Sequence, residues 1–179
     1  MAGKDSIPER VLNAFESLLI ESGERAATLD AVARFASVSK GGILHYFSNR
    51  EALISAQLKR FDDLVSEDIN SMRTAPDGPA AYFIRTSIWS NSPLDRAFVA
   101  LQRLSQVAHS ETQRRLVDAQ KKWLVVLEAE VGPETALAIR YIGDGLFFNA
   151  VFHQSQGTNQ NCRGTEAAAL MKTLRKVSM

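Results

Sequence analysis

The sequence predicts an all-α chain, with a three-helix N-terminal domain holding a helix-turn-helix and a helical bundle behind it. Three observations carry this expectation. Apolar residues recur at three- and four-residue spacing, and no stretch alternates apolar with polar residues long enough for a strand. Capping side chains stand just ahead of the first four apolar stripes. Between residues 28 and 47, two short helical stretches are parted only by Ser37-Val38-Ser39.

The elements follow in order. Ser6 and Glu9 form a capping box, Pro8 sits in the first turn, and Val11, Leu12, Phe15, Leu18 and Leu19 make one apolar stripe that Gly23 closes. Thr28 caps a second helix, with Asp30 favouring its dipole and Leu29, Val32, Ala33 and Ala36 on its inner face. Ser39 caps a short third helix from Lys40 to Tyr46. Ser48 and Glu51 predict a second capping box opening a long fourth helix that carries Leu53, Leu58, Phe61 and Leu64. Residues 74–79, with two prolines and a glycine, end it. Further helices are expected near 80–90, 95–109, 112–131, 133–156 and 165–177, parted by Pro93, Gly132-Pro133 and the polar loop Gly157 to Gly164. The domains implied are residues 1–53, with helix four continuing as a connector to about 73, and residues 54–179.

Composition narrows the function classes. There is no run of eighteen apolar residues, so no membrane span is expected, and Met1 to Arg10 lacks the apolar stretch of a secretory signal. Cys162 stands alone, which suits a reducing cytoplasm, and His45, His109 and His153 lack metal-ligand spacing. No metal and no cofactor are expected. The net charge of +1 does not by itself point to nucleic acid. Yet residues 31–50 hold Arg34, Lys40 and Arg50 and no acid, with His45 beside them.

A second helix set off by a tight corner is the arrangement that enters a major groove while the first braces it. Thr28 and Ser39 stand at helix starts, where free N–H groups favour phosphate. Lys40 adds charge, Tyr46 a hydroxyl, and Arg50 is a cation in the first turn of helix four, where an external anion would offset the dipole. Gly41-Gly42 costs roughly 1 kcal/mol per glycine relative to alanine, and close approach of a DNA backbone or of another helix is a physical reason for it. The plainer reading makes Thr28 and Ser39 caps, Tyr46 a boundary aromatic, and Lys40 and Arg50 solvated charges.

Read together, Arg10 to Leu53 resembles the N-terminal DNA-binding domain of the TetR (tetracycline-repressor-like) family. The matching residues are Thr28-Leu29-Asp30-Ala31-Val32-Ala33, Ala36-Ser37-Val38-Ser39-Lys40-Gly41, His45-Tyr46-Phe47 and Arg50-Glu51-Ala52-Leu53, with Phe15 to Gly23 upstream. The resemblance covers about a quarter of the chain. It implies a homodimer placing its third helices in the major groove. Thr28, Ser39, Lys40, Tyr46 and Arg50 match positions that bind phosphates or flank the bases, and Phe47 matches a core aromatic. Ser37 departs from the family's usual glycine, Gly42 from a small hydroxyl residue and Leu44 from an aromatic. Base contacts then fall to Lys40, Ile43, Leu44 and His45, with Ile43 the one that suits the core. The DNA-binding set is Thr28, Ser37, Ser39, Lys40, Gly41, Gly42, Leu44, His45, Tyr46 and Arg50.

The body is read from its residues. Phe83, Trp89, Phe98, Trp123, Tyr141, Asp144 and Phe148 are candidates to line a small-molecule pocket, while aromatics at helical spacing also serve as core. Gly143 and Gly145 let a backbone come close and suit a dimer seam. Asp144 needs a partner that Arg140, four residues earlier, can supply, either as a structural pair or beside an effector contact together with Tyr141. The family places its dimer seam in the last two helices, here those near 133–156 and 165–177, the latter with Ala167, Ala168, Leu170, Met171 and Leu174. His109 and His153 read as surface or satisfied core residues and Cys162 as exposed.

The expectation is a DNA-binding transcriptional regulator in the cytoplasm, a repressor on a near-palindromic duplex operator, released by a small-molecule effector that shifts helix four about a pivot at Leu53 to Leu64. The alternative is a helical dimeric interaction protein of the same fold that has lost operator binding. An enzyme is not expected, since no nucleophile–base order, metal spacing or phosphate-cradling glycine loop is present.

Overall fold

The computed structural model describes residues 6–105, 110–154 and 169–170. Among them run eight α-helices and no strand: α1 (Ile7–Ser22), α2 (Leu29–Ala36), α3 (Lys40–Tyr46), α4 (Arg50–Arg73), α5 (Pro79–Thr86), α6 (Pro93–Ser105), α7 (Ser110–Val131) and α8 (Pro133–Gln154). No helix among the described residues is long and apolar enough to cross a membrane. The chain forms two compact units. One holds α1–α3, α4 to Val65, α6 and α7 to Ala119; the other holds α4 from Ser66, α5, α7 from Gln120, and α8.

Local chemistry sets the helix ends. The Ser6–Glu9 box forms in both directions, and Gly23, at φ 78°, closes α1 by donating its N–H to the Leu19 carbonyl. Thr28 and Ser39 cap α2 and α3, accepting from the Ala31 and Gly42 amides at 3.2 and 3.0 Å. The expected Ser48–Glu51 box does not form. Asn49, one residue on, caps α4 instead, its Oδ1 accepting from the Ala52 N–H at 2.8 Å. The chain bends at Ser48 and Asn49 after Phe47 has turned into the core, so the first free amides of α4 fall within reach of residue 49. Helix α5 stops at Thr86, short of the expected 90. The helix expected near 165–177, together with His109, Cys162 and the side chain of His153, falls outside the described residues but for Ala169 and Leu170, which are helical.

In the first unit α1 packs against α2, α3 and α6. Val11, Phe15 and Leu19 are fully buried with Val32, Ile43, Leu53, Phe61, Leu101 and Leu104. A polar knot lies within this core. The Glu16 carboxylate, 3% exposed, accepts from Arg96 Nε at 2.9 Å and from Gln57 Nε2 at 2.9 Å, while Arg96 Nη2 donates to Ser17 Oγ at 2.8 Å. One buried acid thereby ties α1, α4 and α6 together.

In the second unit α5 packs on α8. Gly143 permits this contact, since a β-carbon there would overlap the Phe83 ring and the Ser87 hydroxyl. Asp68 receives one donor on each oxygen, Tyr82 OH and Trp123 Nε1, both at 2.8 Å. Burial first and the Asp68 carboxylate second push the Tyr82 phenol up to about 12.

Breaking a buried ion pair from one side leaves an uncompensated charge. Glu16→Ala should therefore cost about 3 kcal/mol in a denaturant titration, and Arg96→Lys should be clearly destabilising because an ammonium cannot reproduce the forked contact to Glu16 and Ser17. A change within about 0.5 kcal/mol for both, the ordinary range of surface substitutions, would remove the knot from its structural role.

Candidate nucleic-acid interface

Helices α2 and α3 meet at a corner whose backbone is unusual. Ser37 takes the left-handed conformation, φ 54° and ψ 48°, where a β-carbon is strained and glycine is at ease. Ser37 and Val38 donate their N–H groups back to the Arg34 and Ala33 carbonyls. The last carbonyls of α2 are met from outside: Arg10, on α1, donates through Nη2 to the carbonyl oxygens of Ala36 and of Ser37, the latter at 3.1 Å. This role of Arg10 is not legible in the residues around it. Its only sequence signal is a cation on the flank of the α1 stripe, and the carbonyls it serves lie 26 and 27 residues away.

The corner fixes which side of α3 faces outward. Ile43 is fully buried and Phe47 nearly so, which anchors α3 on the core as expected of both. Lys40, Gly41, Leu44, His45 and Tyr46 are exposed, and the rings of His45 and Tyr46 meet edge to face at 4.9 Å. The glycine pair is explained only in part. Among the described residues, no other helix lies within 4 Å of a β-carbon built at either glycine. A β-carbon at Gly41 would meet only the Ser39 hydroxyl at 4.0 Å, and one at Gly42 would press on the same oxygen at 3.2 Å. Gly42 thus leaves room for the cap that opens α3, while the space at Gly41 is open outward.

The cations fall into two kinds. Lys40 Nζ lies 3.0 Å from the Asp30 carboxylate, with both side chains more than half exposed. Such a pair is worth about 0.2–1 kcal/mol and exchanges readily. Arg50 is held differently: it donates to Glu24 Oε1 at 3.1 Å and to the Glu24 backbone carbonyl at 3.3 Å, beside a carboxylate that is 9% exposed. The anion expected near Arg50 is therefore supplied by the chain itself, and this arginine braces the α1–α2 loop against the start of α4. Phe35, outside the expected DNA-binding set, is 53% exposed on α2. Its place at i+3 from Val32, on the flank of the buried face, was the one available signal.

The pocket candidates separate. Phe83 lies 6.4 Å from Trp123, and Trp89 lies 5.9 Å from Phe147, which meets Phe148 at 5.9 Å. Phe98 belongs to the other unit, packed against Phe61 at 6.2 Å. Tyr141 is exposed, with Arg140 over its ring. Asp144 pairs with Arg140 at 3.5 Å, and burial, the larger influence, raises its carboxyl above the ordinary value while Arg140 opposes the rise. The Trp89 indole N–H is buried and meets no acceptor among the described residues. No group of acids, histidines or cysteines arranged to hold a metal occurs among the described residues.

Residues 11–56 match the family model described as bacterial regulatory proteins, tetR family. Over 159 residues the chain is 25% identical to the HTH-type transcriptional regulator BetI of Klebsiella pneumoniae (strain 342), covering 79% of this chain and 80% of that protein. Two solved structures share the fold. A putative TetR-family transcriptional regulator from Rhodococcus sp. superposes with a TM-score of 0.64 at 14% identity, covering 98% of this chain and all of that one. The multidrug binding protein EbrR, complexed with malachite green, superposes with a TM-score of 0.67 at 15% identity, covering 93% and 96%.

A serine held left-handed costs about 1 kcal/mol relative to glycine. Ser37→Gly should raise the thermal midpoint by a few degrees, which for about 1 kcal/mol is the expected scale. A lowered midpoint would mean that the serine side chain contributes more to the corner than its backbone costs.

Proposed function

We propose that this chain, a TetR-family protein by its N-terminal module and its fold, is a sequence-specific DNA-binding transcriptional repressor that a small-molecule effector releases from a near-palindromic operator. The observation that carries the reading is the outward face of α3. An anchored helix presents Lys40, Gly41, Leu44, His45 and Tyr46 to solvent while Ile43 and Phe47 hold it to the core. Residues 1–53 act as the DNA-binding domain, α4 continues as a connector to about residue 73, and residues 54–179 form the sensing and dimerising body.

On DNA, Lys40 and Tyr46 meet phosphates, Leu44 and His45 face base edges, and the open space at Gly41 admits the backbone of the duplex. Thr28, Ser39, Ser37 and Gly42 shape the corner and its caps. Arg50, tied to Glu24, acts at the edge of this surface as a brace. An effector seated among the rings of the body offers an acceptor to the buried Trp89 N–H, which meets none among the described residues. The complex of EbrR with malachite green supports a body that takes small molecules. A coupling of about 1–3 kcal/mol, carried along α4, weakens operator binding roughly 5- to 150-fold. The protein works in the cytoplasm.

The dimer partner is a second copy, seated on α8. Leu137, Tyr141, Gly145, Phe148 and Phe152 are exposed and recur every three or four residues, so they form one stripe, and a β-carbon at Gly145 would meet nothing within 4 Å among the described residues. An apolar stripe with a bare backbone at its centre suits close helix pairing across a two-fold axis.

The test of DNA binding is enrichment of genome fragments on the purified protein, then a salt titration on the enriched site. One enriched near-palindrome with a steep salt slope supports the regulator; weak, uniform binding to all fragments sinks operator recognition and favours the interaction protein. On that site, Gly41→Ala should stabilise the free protein by about 1 kcal/mol yet bind less tightly. Stabilisation without loss of affinity would place the DNA backbone elsewhere. For the dimer, Phe148→Glu should shift sedimentation from dimer to monomer at micromolar concentration while helicity is kept. An unchanged dimer would move the seam off this face.

A further inference from the structure

We propose that Asp30 sets the strength and salt dependence of DNA binding, by holding Lys40 in an ion pair that a phosphate must displace. The inference rests on the DNA-binding reading above and adds to it an acid that opposes binding.

The geometry separates this pair from the Arg50–Glu24 pair. Asp30 stands in the first turn of α2 and Lys40 in the first turn of α3, so the ammonium reaches across the corner from one helix to the other, within 3.0 Å of one carboxylate oxygen and 3.1 Å of the second. Both side chains are more than half exposed, at 54% and 67%, so water and salt compete with the contact and the ammonium can turn away at little cost. Arg50 and Glu24 form the contrasting pair, partly buried and doubled by a bond to a backbone carbonyl. Only the first pair can exchange an internal for an external anion.

Two consequences follow. In the free protein Asp30 cancels the charge of Lys40, so the face carries less attraction for DNA than a count of its cations suggests. In the complex Lys40 must choose between the carboxylate and a phosphate, and Asp30 remains as an exposed anion beside a polyanion. Removing its charge should strengthen binding. It should also steepen the salt slope by about one unit, the contribution of one further neutralised phosphate. Because the carboxylate acts on the backbone contact, the gain should be similar for operator and non-operator duplex, so that Asp30 lowers affinity for all sequences alike.

The experiment uses the full chain and a fluorescently labelled random-sequence duplex, with anisotropy titrations at several salt concentrations and thermal melting of each variant. Asp30→Asn, which keeps the shape and the ability to stand near the start of a helix, should bind about three- to tenfold more tightly at low salt, with a steeper slope and an equal or slightly lower melting point. Asp30→Glu, which keeps the charge, should bind like the parent. Lys40→Gln should bind more weakly and respond little to a further Asp30→Asn change, since the two act through one contact. A purely structural Asp30 would give a lower melting point with equal or weaker binding in Asp30→Asn, and that result overturns the proposal. If the parent and Asp30→Asn both fail to bind duplex at low salt, the DNA-binding reading falls and this inference with it. If the parent binds and Asp30→Asn matches it, only the inference falls.

Discussion

A carboxylate removed from water has to be met by donors, and in the first unit that requirement is concentrated at Glu16. Arg96 and Gln57 meet its two oxygens, Arg96 also reaches Ser17, and these residues come from α1, α4 and α6, up to 80 positions apart in the chain. Apolar packing among Val11, Phe15, Leu19, Phe61, Leu101 and Leu104 supplies most of the attraction between these helices, but it is non-directional and tolerates sliding. Two charge-assisted hydrogen bonds do not. They fix the register of α1 against its neighbours, and α1 in turn carries Arg10, whose guanidinium holds the carbonyls at the end of α2. The corner that orients α3 thus depends on the placement of α1.

The face that α3 presents follows from that corner. Ser37 accepts a left-handed backbone where glycine would be at ease, and the chain offsets the strain with backbone bonds to the last turn of α2 and with the Arg10 contact. Ile43 and Phe47 then take the inner side, and the polar and small residues between them take the outer one. Charge on this face is partly self-neutralised, through a loose pair at Lys40 and a braced pair at Arg50. The difference is one of dielectric: an exposed pair is screened and exchangeable, while a partly buried one backed by a backbone carbonyl holds its geometry.

In the second unit the polar groups are arranged by a similar demand. Asp68 satisfies two aromatic donors at once, and the ordinary role of such a carboxylate is to let Tyr82 and Trp123 be packed without losing their hydrogen bonds. Gly143 serves the same packing by making room for Phe83 and Ser87, whereas Gly145, two residues on and on another side of α8, faces open space. Two glycines that look alike in the sequence therefore have different surroundings, one making room for a neighbour within the chain and one lying on the exposed side of α8.

Much of this was legible in the amino-acid sequence. Helical periodicity, the Ser6–Glu9 box, the Thr28 and Ser39 caps, Gly23 and Gly132-Pro133 specify helices locally, since a cap or a stop acts on amides within three or four residues. The string from Thr28 to Leu53 marked the module, because its caps, corner and buried Ile43 and Phe47 all lie within one short window. Contacts across long separations were not legible. Nothing near Glu16 announces Arg96, nothing near Arg10 announces Ala36, and the cation at Arg50 pointed to an anion without showing that Glu24 supplies it. The cap of α4 moved from Ser48 to Asn49 for the same reason, as Phe47 had to reach a core built by other helices. Local hydrogen bonding and periodicity are written in neighbouring residues, so the sequence alone determined where the first helices run and where the corner between α2 and α3 falls. Which charges are buried, paired or left free depends on what the packed helices bring beside them, and only the tertiary structure decided that.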